Sequence, residues 1–340
     1  MKVIFSERQD RHDPKSYLSS GAPVANPEVP ERSARLLKAA LHSGLKLEAP
    51  KDYGIAPLEA VHSKRYLTFL QNIHKRWTRI PGASEEVLPN VHPDRRNGSY
   101  PKSAVGHVGY HVYDASCPIA AGTWEGACWS ANSAIHAAQL VLDGASSAYA
   151  LARPPGHHAG SDLVGGFCFL NNSAIAAQLL RSAHERVAIL DVDVHHGNGT
   201  QDIFYERGDV LTVSIHADPI RFYPFYWGYA NERGAGAGKD ANCNFPLPRG
   251  TVDDEYLPVL DDALARVQKF APGALVVALG LDAFEGDPYQ GFGITTAGFA
   301  RIAQRIAALK LPTVLVQEGG YLCDELGDNL ESFLRGFTGS

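Results

Sequence analysis

Five short β-branched runs dominate the pattern of apolar and polar positions: 148–152, 187–194, 210–215, 275–281 and 313–317. Each is apolar almost throughout rather than alternating, as expected of a strand buried on both faces. Between them, 125–143, 171–183, 254–270 and 296–309 carry apolar residues at helical spacing. Asn172 is placed to cap the second of these, acids open the third, and Thr295 or Thr296 caps the fourth. Strand–helix–strand alternation predicts an α/β fold, with a parallel sheet covered by helices on both faces.

Two stretches break the rhythm. Residues 80–103 hold Pro81, Pro89, Pro93 and Pro101 with an Asn97-Gly98 turn, and read as a long ordered loop rather than a linker. Residues 218–248 hold Phe222, Tyr223, Phe225, Tyr226, Trp227 and Tyr229, then a Gly-Ala-Gly-Ala-Gly run over 234–238. Aromatic-dense loops of this kind wall ligand sites in α/β proteins. No repeat or shift in composition marks a boundary, so residues 1–340 read as a single domain.

Composition narrows the function. Hydrophobic residues make up 45% and charged residues 20%, the balance of a globular protein. Lys and Arg number 31 against 37 Asp and Glu, a net charge of −6, which argues against an electrostatic grip on nucleic acid. No apolar run reaches the roughly 18 residues of a membrane span, so no membrane partner is expected. Five cysteines without a CxxC pair suit neither a disulfide framework nor a cysteine zinc site. With no signal-peptide core at the start, the expected location is cytoplasmic.

The candidate chemistry gathers after the apolar runs. Arg153-Pro-Pro-Gly-His157-His158 follows the first, at the strand end where open α/β sheets bind ligands. Two histidines there can also simply bond loop carbonyls. Asp191-Val-Asp193-Val-His195-His196-Gly-Asn198 continues the second. Strand alternation puts Asp191, Asp193 and His195 on one face. Two carboxylates and an imidazole at one strand end repel and desolvate badly without a cation. Zn²⁺ suits that donor set, as do Fe²⁺, Co²⁺ or Mn²⁺. A catalytic zinc commonly takes three protein ligands, and Asp282, after the fourth run, is the candidate third. A helix cap is the plain alternative for Asp282. Glu318-Gly-Gly-Tyr321 follows the fifth run and aims a hydroxyl able to polarise a carbonyl. Together the four strand ends suit metal-assisted hydrolysis.

These motifs resemble those of the histone deacetylase superfamily, through Arg153 to His158, Asp191 to Thr200, Gly280-Leu-Asp282 and Glu318 to Tyr321. Pro30-Glu31-Arg32, His62 to Tyr66, Gly165 to Asn172 and Val213 to His216 support the match, which spans nearly the whole chain. Chain length, Gly122-Thr-Trp-Glu125 and the 80–103 loop are most similar to acetylpolyamine amidohydrolases.

The resemblance implies an arginase/deacetylase-like fold with a central, mostly parallel sheet. It implies zinc on Asp193, His195 and Asp282, with His158 as general base and acid, His157 as its electrostatic partner and Tyr321 polarising the carbonyl. Asp191 would orient His157, and Asn198 would accept the Nδ1–H of His158. An asparagine there, where some relatives carry aspartate, implies a less basic His158. Asp191, Asp193, His195, Ser214 and Ile215 match a monovalent-cation site, implying structural K⁺. Phe204, Arg207 and Val210, with a carbonyl near Asn242, match a second. Phe167 and Tyr223 match tunnel walls, with Gly166 beside them.

The implied substrate is a small N-acetylated amine: an acetylpolyamine, acetylputrescine or acetylcadaverine. Glu85, Glu86, Asp94 and, best placed, Asp114 are candidates to hold its distal ammonium at the rim. The 80–103 loop would build a homodimer interface and narrow the tunnel, with Arg95 and Arg96 pairing to acids of a second copy. Three rivals remain. An acetyl-lysine protein or peptide deacetylase would use the same mechanism. A non-catalytic metal- or amine-binding protein would not need His157, His158 and Tyr321. An arginase-type hydrolase would need second-metal ligands that His196-Gly and Ala283-Phe284 do not offer.

Overall fold

Alternate side chains along each central strand enter opposite hydrophobic cores. In the computed structural model, which describes residues 1–339, Val187 and Ile189 face one core while Ala188 and Leu190 face the other. Val314 and Val316 are divided from Leu315 in the same way. This two-sided burial explains why the runs are apolar throughout.

The strands are β1 (Lys2–Ile4), β2 (Ser16–Ser19), β3 (Ala22–Ala25), β4 (Lys46–Glu48) and β5 (Ser147–Ala150). They continue with β6 (Val187–Asp191), β7 (Val210–Ala217), β8 (Asn242–Leu247), β9 (Ala274–Leu279) and β10 (Thr313–Gln317). Eight form one sheet in the order β4-β1-β5-β10-β9-β6-β7-β8. Each pairing between its neighbours is parallel. The pair β2–β3 is a separate antiparallel hairpin. Helices Lys64–Trp77, Thr123–Leu142 and Asn172–Leu180 pack into the first core. Helices Pro30–His42, Asp253–Phe270, Thr296–Ala307 and Leu326–Thr338 pack into the second.

Several boundaries differ from the sequence reading, each for a local reason. β6 stops at Asp191 rather than Val194, and β9 at Leu279 rather than Leu281. Beyond β6, carboxylates take over the backbone donors: Asp191 accepts the N–H of Asp193 and Asp282 that of Val194, both at 3.1 Å. Asp193 and His195 therefore sit on a bend past the strand, not along one strand face. The helix expected to be capped by Asn172 is capped by Asn171, whose side chain accepts the N–H of Ala174 at 2.9 Å. Asn172 instead donates to the Pro154 carbonyl, bracing the histidine loop. β8 lies inside the stretch read as irregular, where Asn242 and Asn244 interrupt the apolar pattern. No helix among the described residues is long and apolar enough to cross a membrane.

Candidate active site

The four motif-bearing strands, β5, β10, β9 and β6, are immediate neighbours at the centre of the sheet. Their carboxyl ends converge residues far apart in the chain. Glu318, at the end of β10, accepts the N–H of Gly156 at 2.6 Å and of His157 at 3.0 Å. Its other oxygen accepts the Ser173 hydroxyl at 2.8 Å. A buried carboxylate thus fixes the backbone that presents both histidines.

At the floor, His195 Nδ1 lies 3.1 Å from an oxygen of Asp193 and 3.1 Å from one of Asp282. All three side chains are buried, and their candidate ligand atoms lie within 4.8 Å of one another. Burial opposes a charge on His195, but its bonds to Asp193 and Asp282 outweigh this and lift its pKa to about 9. Burial and the charge of Asp193 raise that of Asp282. Burial opposes a charge on Asp193, yet His157 and His195 hold its pKa well below the ordinary carboxylate range, so a buried anion crowded against a second carboxylate presents the environment a divalent cation satisfies. One nitrogen and carboxylate oxygens fit a metal of the zinc type. The backbone of Gly319 closes this floor: a Cβ there would meet Asp282 Oδ2 at 2.1 Å.

The two histidines are driven apart electrostatically. His157 Nδ1 bonds Asp191 at 2.9 Å. Burial works against its charge, yet Asp191 and Asp193 lift its pKa to about 10. Burial, then the neighbouring His157 and His195, push His158 well below its ordinary value. His158 Nδ1 lies 2.7 Å from the Asn198 carboxamide oxygen. One imidazole is held charged and the next neutral, a division suited to an electrostatic partner and a base.

Above them opens a cavity of about 470 Å³, which His158, Tyr321 and the three floor residues all line. Phe167 and Tyr223 are among its walls. The Tyr321 ring stands 6.0 Å from that of Phe167, and the Tyr223 ring 4.9 Å from that of His158. Gly166 passes close beneath with φ of +55°, and a Cβ there would meet His158 Cδ2 at 2.4 Å. Asp114 also lines the cavity, but both its oxygens are engaged. One accepts the Ser116 N–H and hydroxyl at 3.0 and 2.9 Å, the other the Tyr223 hydroxyl at 2.6 Å and the Gly166 N–H at 3.2 Å.

The expected rim acids are not gathered at this mouth. Among the described residues, the acidic side chains lining the cavity are Asp114, Asp193 and Asp282, and no residue of 80–103 lines it. Glu86 is turned to the backbone and hydroxyl of Ser16. Residues of the β2–β3 hairpin, including Tyr17 and Ser19, occupy the rim instead. Arg96 pairs within the chain, with Asp162 at 2.8 Å, and stacks on Tyr110 at 4.4 Å.

The residues matched to cation sites fall in two groups. Ser214 pairs across from Asp191 between β7 and β6, with Ile215 next along β7. Phe204 and Arg207 share a turn, where the Arg207 N–H donates to the Phe204 carbonyl at 2.9 Å, and Val210 opens β7.

Sequence reasoning assigned no role to several supporting groups. Asp287 accepts the N–H of Tyr321 at 2.9 Å and of Tyr289 at 2.8 Å. Tyr289 stands 4.8 Å from the Tyr321 ring. Arg153, fully buried, pairs with Glu28 at 3.0 Å and donates to the His12 carbonyl at 2.7 Å. A charge directly after a strand buried on both faces, as in Arg153 and Glu318, is the signal that could have found two of them. Asp287 carries no such mark.

A paired-histidine loop, a buried donor triad and an inward tyrosine at the ends of a parallel sheet define the class of metal-dependent hydrolytic deacetylases. A family model for the histone deacetylase domain matches residues 26–337, and the chain belongs to that family. It is 48% identical over 338 residues to the acetylpolyamine amidohydrolase of Burkholderia pseudomallei, covering 99% of this chain and 98% of the relative. Acetylpolyamine amidohydrolase 1 of Pseudomonas aeruginosa is 44% identical over 345 residues, covering 100% of this chain and 99% of the relative. The crystal structure of acetylpolyamine aminohydrolase from Burkholderia pseudomallei superposes with a TM-score of 0.96, over 99% of this chain and 98% of that one.

Proposed function

We propose that the protein removes the acetyl group from small N-acetylated amines, acetylpolyamines together with acetylputrescine or acetylcadaverine, releasing acetate and the free amine. The observation that carries this reading is the aromatic-walled cavity whose floor joins the donor triad to His158 and Tyr321. The full-length likeness to acetylpolyamine amidohydrolases supports the same substrate class.

Asp193, His195 and Asp282 hold a zinc ion, which when bound supplies Lewis acidity to the acetyl carbonyl and the attacking water. His158, neutral and hydrogen-bonded through Nδ1, takes the proton of the water at Nε2 and returns one to the leaving amine. His157, kept charged by Asp191, lends positive potential beside it. The Tyr321 hydroxyl donates to the carbonyl oxygen as it gains charge. Phe167 and Tyr223 flank the methylene chain of the substrate, and aromatic faces offer the distal ammonium a cation–π surface. Gly166 lets the wall approach the base.

Asp191, Ser214 and Ile215 hold one potassium ion, and the turn of Phe204, Arg207 and Val210 a second. The 80–103 segment meets a second copy, so that a homodimer narrows each mouth from outside its own chain. The enzyme works in the cytoplasm, in keeping with its five free cysteines.

A panel of acetylputrescine, acetylcadaverine, acetylspermidine and an acetyl-lysine peptide, with metal content measured in parallel, tests the reading. Preference for the small amines is expected. Preference for the peptide would overturn the substrate class while leaving the reaction intact.

A further inference from the structure

Asp114 anchors a chain of hydrogen bonds whose direction can be followed link by link. Ser116 and Gly166 both aim backbone N–H groups at its carboxylate, which therefore accepts from every neighbour. Tyr223 has a single hydroxyl hydrogen and gives it to Asp114 at 2.6 Å. Toward Tyr113, whose hydroxyl is 2.8 Å away, Tyr223 can then only accept. Tyr113 has thereby used its own hydrogen. With that hydrogen spent it can only accept, and of the two ends of the Asn198 carboxamide beside it, nitrogen at 3.3 Å and oxygen at 3.5 Å, only the nitrogen can donate. That leaves the Asn198 oxygen turned to His158 Nδ1 at 2.7 Å.

We infer that Asp114, Tyr223 and Tyr113 are positioning residues for His158, and that they act by fixing which way round the Asn198 carboxamide sits. A carboxamide is nearly symmetric in shape, and its two ends differ only in hydrogen bonding. Reversed, it would present N–H to Nδ1 and draw the imidazole proton onto Nε2, the nitrogen that must be free to act as base. An aspartate at this position has two equivalent acceptor oxygens and no wrong orientation. Asn198 therefore creates a requirement that the buried Tyr113 hydroxyl meets. Asp114 serves this internal task, in place of the substrate contact expected of it.

The inference rests on His158 being the base, and the test separates the two. Steady-state rates on acetylputrescine are measured for the metal-loaded parent, Tyr113→Phe, Asn198→Asp and the double variant. In parallel, nitrogen NMR of histidine-labelled protein reads which ring nitrogen of His158 carries the proton. Tyr113→Phe is expected to lower kcat by about tenfold, the worth of one well-placed hydrogen bond, with KM and melting temperature unchanged. In the Asn198→Asp background the same substitution should change kcat by less than about twofold, because the orientation it controls no longer exists. The NMR should show Nδ1–H in the parent and a mixture with Nε2–H in Tyr113→Phe. An equal penalty in both backgrounds, or Nδ1–H retained in Tyr113→Phe, would overturn the inference. The NMR arm decides it even for a parent that hydrolyses no acetylated amine, an outcome that would sink the proposed function alone. Should Tyr113→Phe fail to fold, Tyr223→Phe frees the Tyr113 hydrogen to point at Asn198 and is read by the NMR arm alone, since Tyr223 also walls the cavity: an Nε2–H share is expected, and Nδ1–H retained would overturn the inference.

Discussion

The guanidinium of Arg32 lies over the ring of Tyr321, 4.9 Å from its centroid, and donates to the carbonyls of Gly320 at 2.5 Å and Glu318 at 2.9 Å. One buried fork thus grips the backbone on the approach to the tyrosine and supports its ring. A lysine cannot reproduce this geometry. Arg32→Lys should lower kcat by roughly tenfold, about the worth of one hydrogen bond, with little change in KM. Tyr321→Phe removes an oxyanion donor and should cost about 10²–10³ in kcat. Steady-state kinetics on acetylputrescine check both, and a changed KM with unchanged kcat in Tyr321→Phe would assign the hydroxyl to ground-state binding alone.

The metal prediction concerns Asp282. Asp282→Ala leaves two donors and should lose bound metal and activity together. Elemental analysis after dialysis reads the first and the acetylputrescine assay the second. Full metal occupancy in the variant would remove Asp282 from the ligand set.

The paired histidines should separate in kinetics as they do in electrostatics. His158→Ala should lower kcat by about 10²–10⁴, the range for a general acid–base group. His157→Ala should keep its metal and retain more activity. A His158→Ala variant as fast as the parent would transfer the role of base to His157.

Acid stability should follow the buried neutral histidines. Burial pushes His62, His111 and His216 from 6.5 down to about 4. Their contribution is complete above about 6.5. As pH falls, the unfolded chain takes up protons that the native state refuses, so the contribution is lost on the way down through about 4. Each proton is worth about 1.4 kcal/mol per pH unit within that window. His62 donates to the Gly160 carbonyl and accepts the Asn171 N–H, both at 2.9 Å, and glutamine can do both without titrating. Urea unfolding of His62→Gln between pH 4.5 and 7.5 should show a shallower acid decline than the parent. Parallel curves would remove His62 from the effect.

The site was more legible in the sequence than its support. His195, Asp282 and Tyr321 each follow an apolar run closely and Asp193 lies near the end of one, and two-sided burial makes such runs conspicuous. Where the strand stops was not legible, because carboxylates replace the ladder only in three dimensions: nothing local to Val194 announces that Asp282 will take its N–H. β1 and β4 are too short to carry a period. Arg32 is separated from Tyr321 by most of the chain, and its role rests on backbone carbonyls that leave no trace in composition. The proline content of 80–103 suggested a wall for the cavity, yet which chain's cavity a loop borders is not a local property.

The placement of β10 also bears on how the chain is made. It is the last in chain order of the strands among the described residues, yet it lies between β5 and β9 in the middle of the sheet. Until it emerges, the edges of β5 and β9 that will flank it have no permanent partner, and each offers a row of open hydrogen-bonding groups. A nascent chain already containing all three floor ligands still lacks the strand that aligns them. Activity therefore reports that synthesis has passed β10, and shortened chains ending before 313 should be sticky rather than merely inactive.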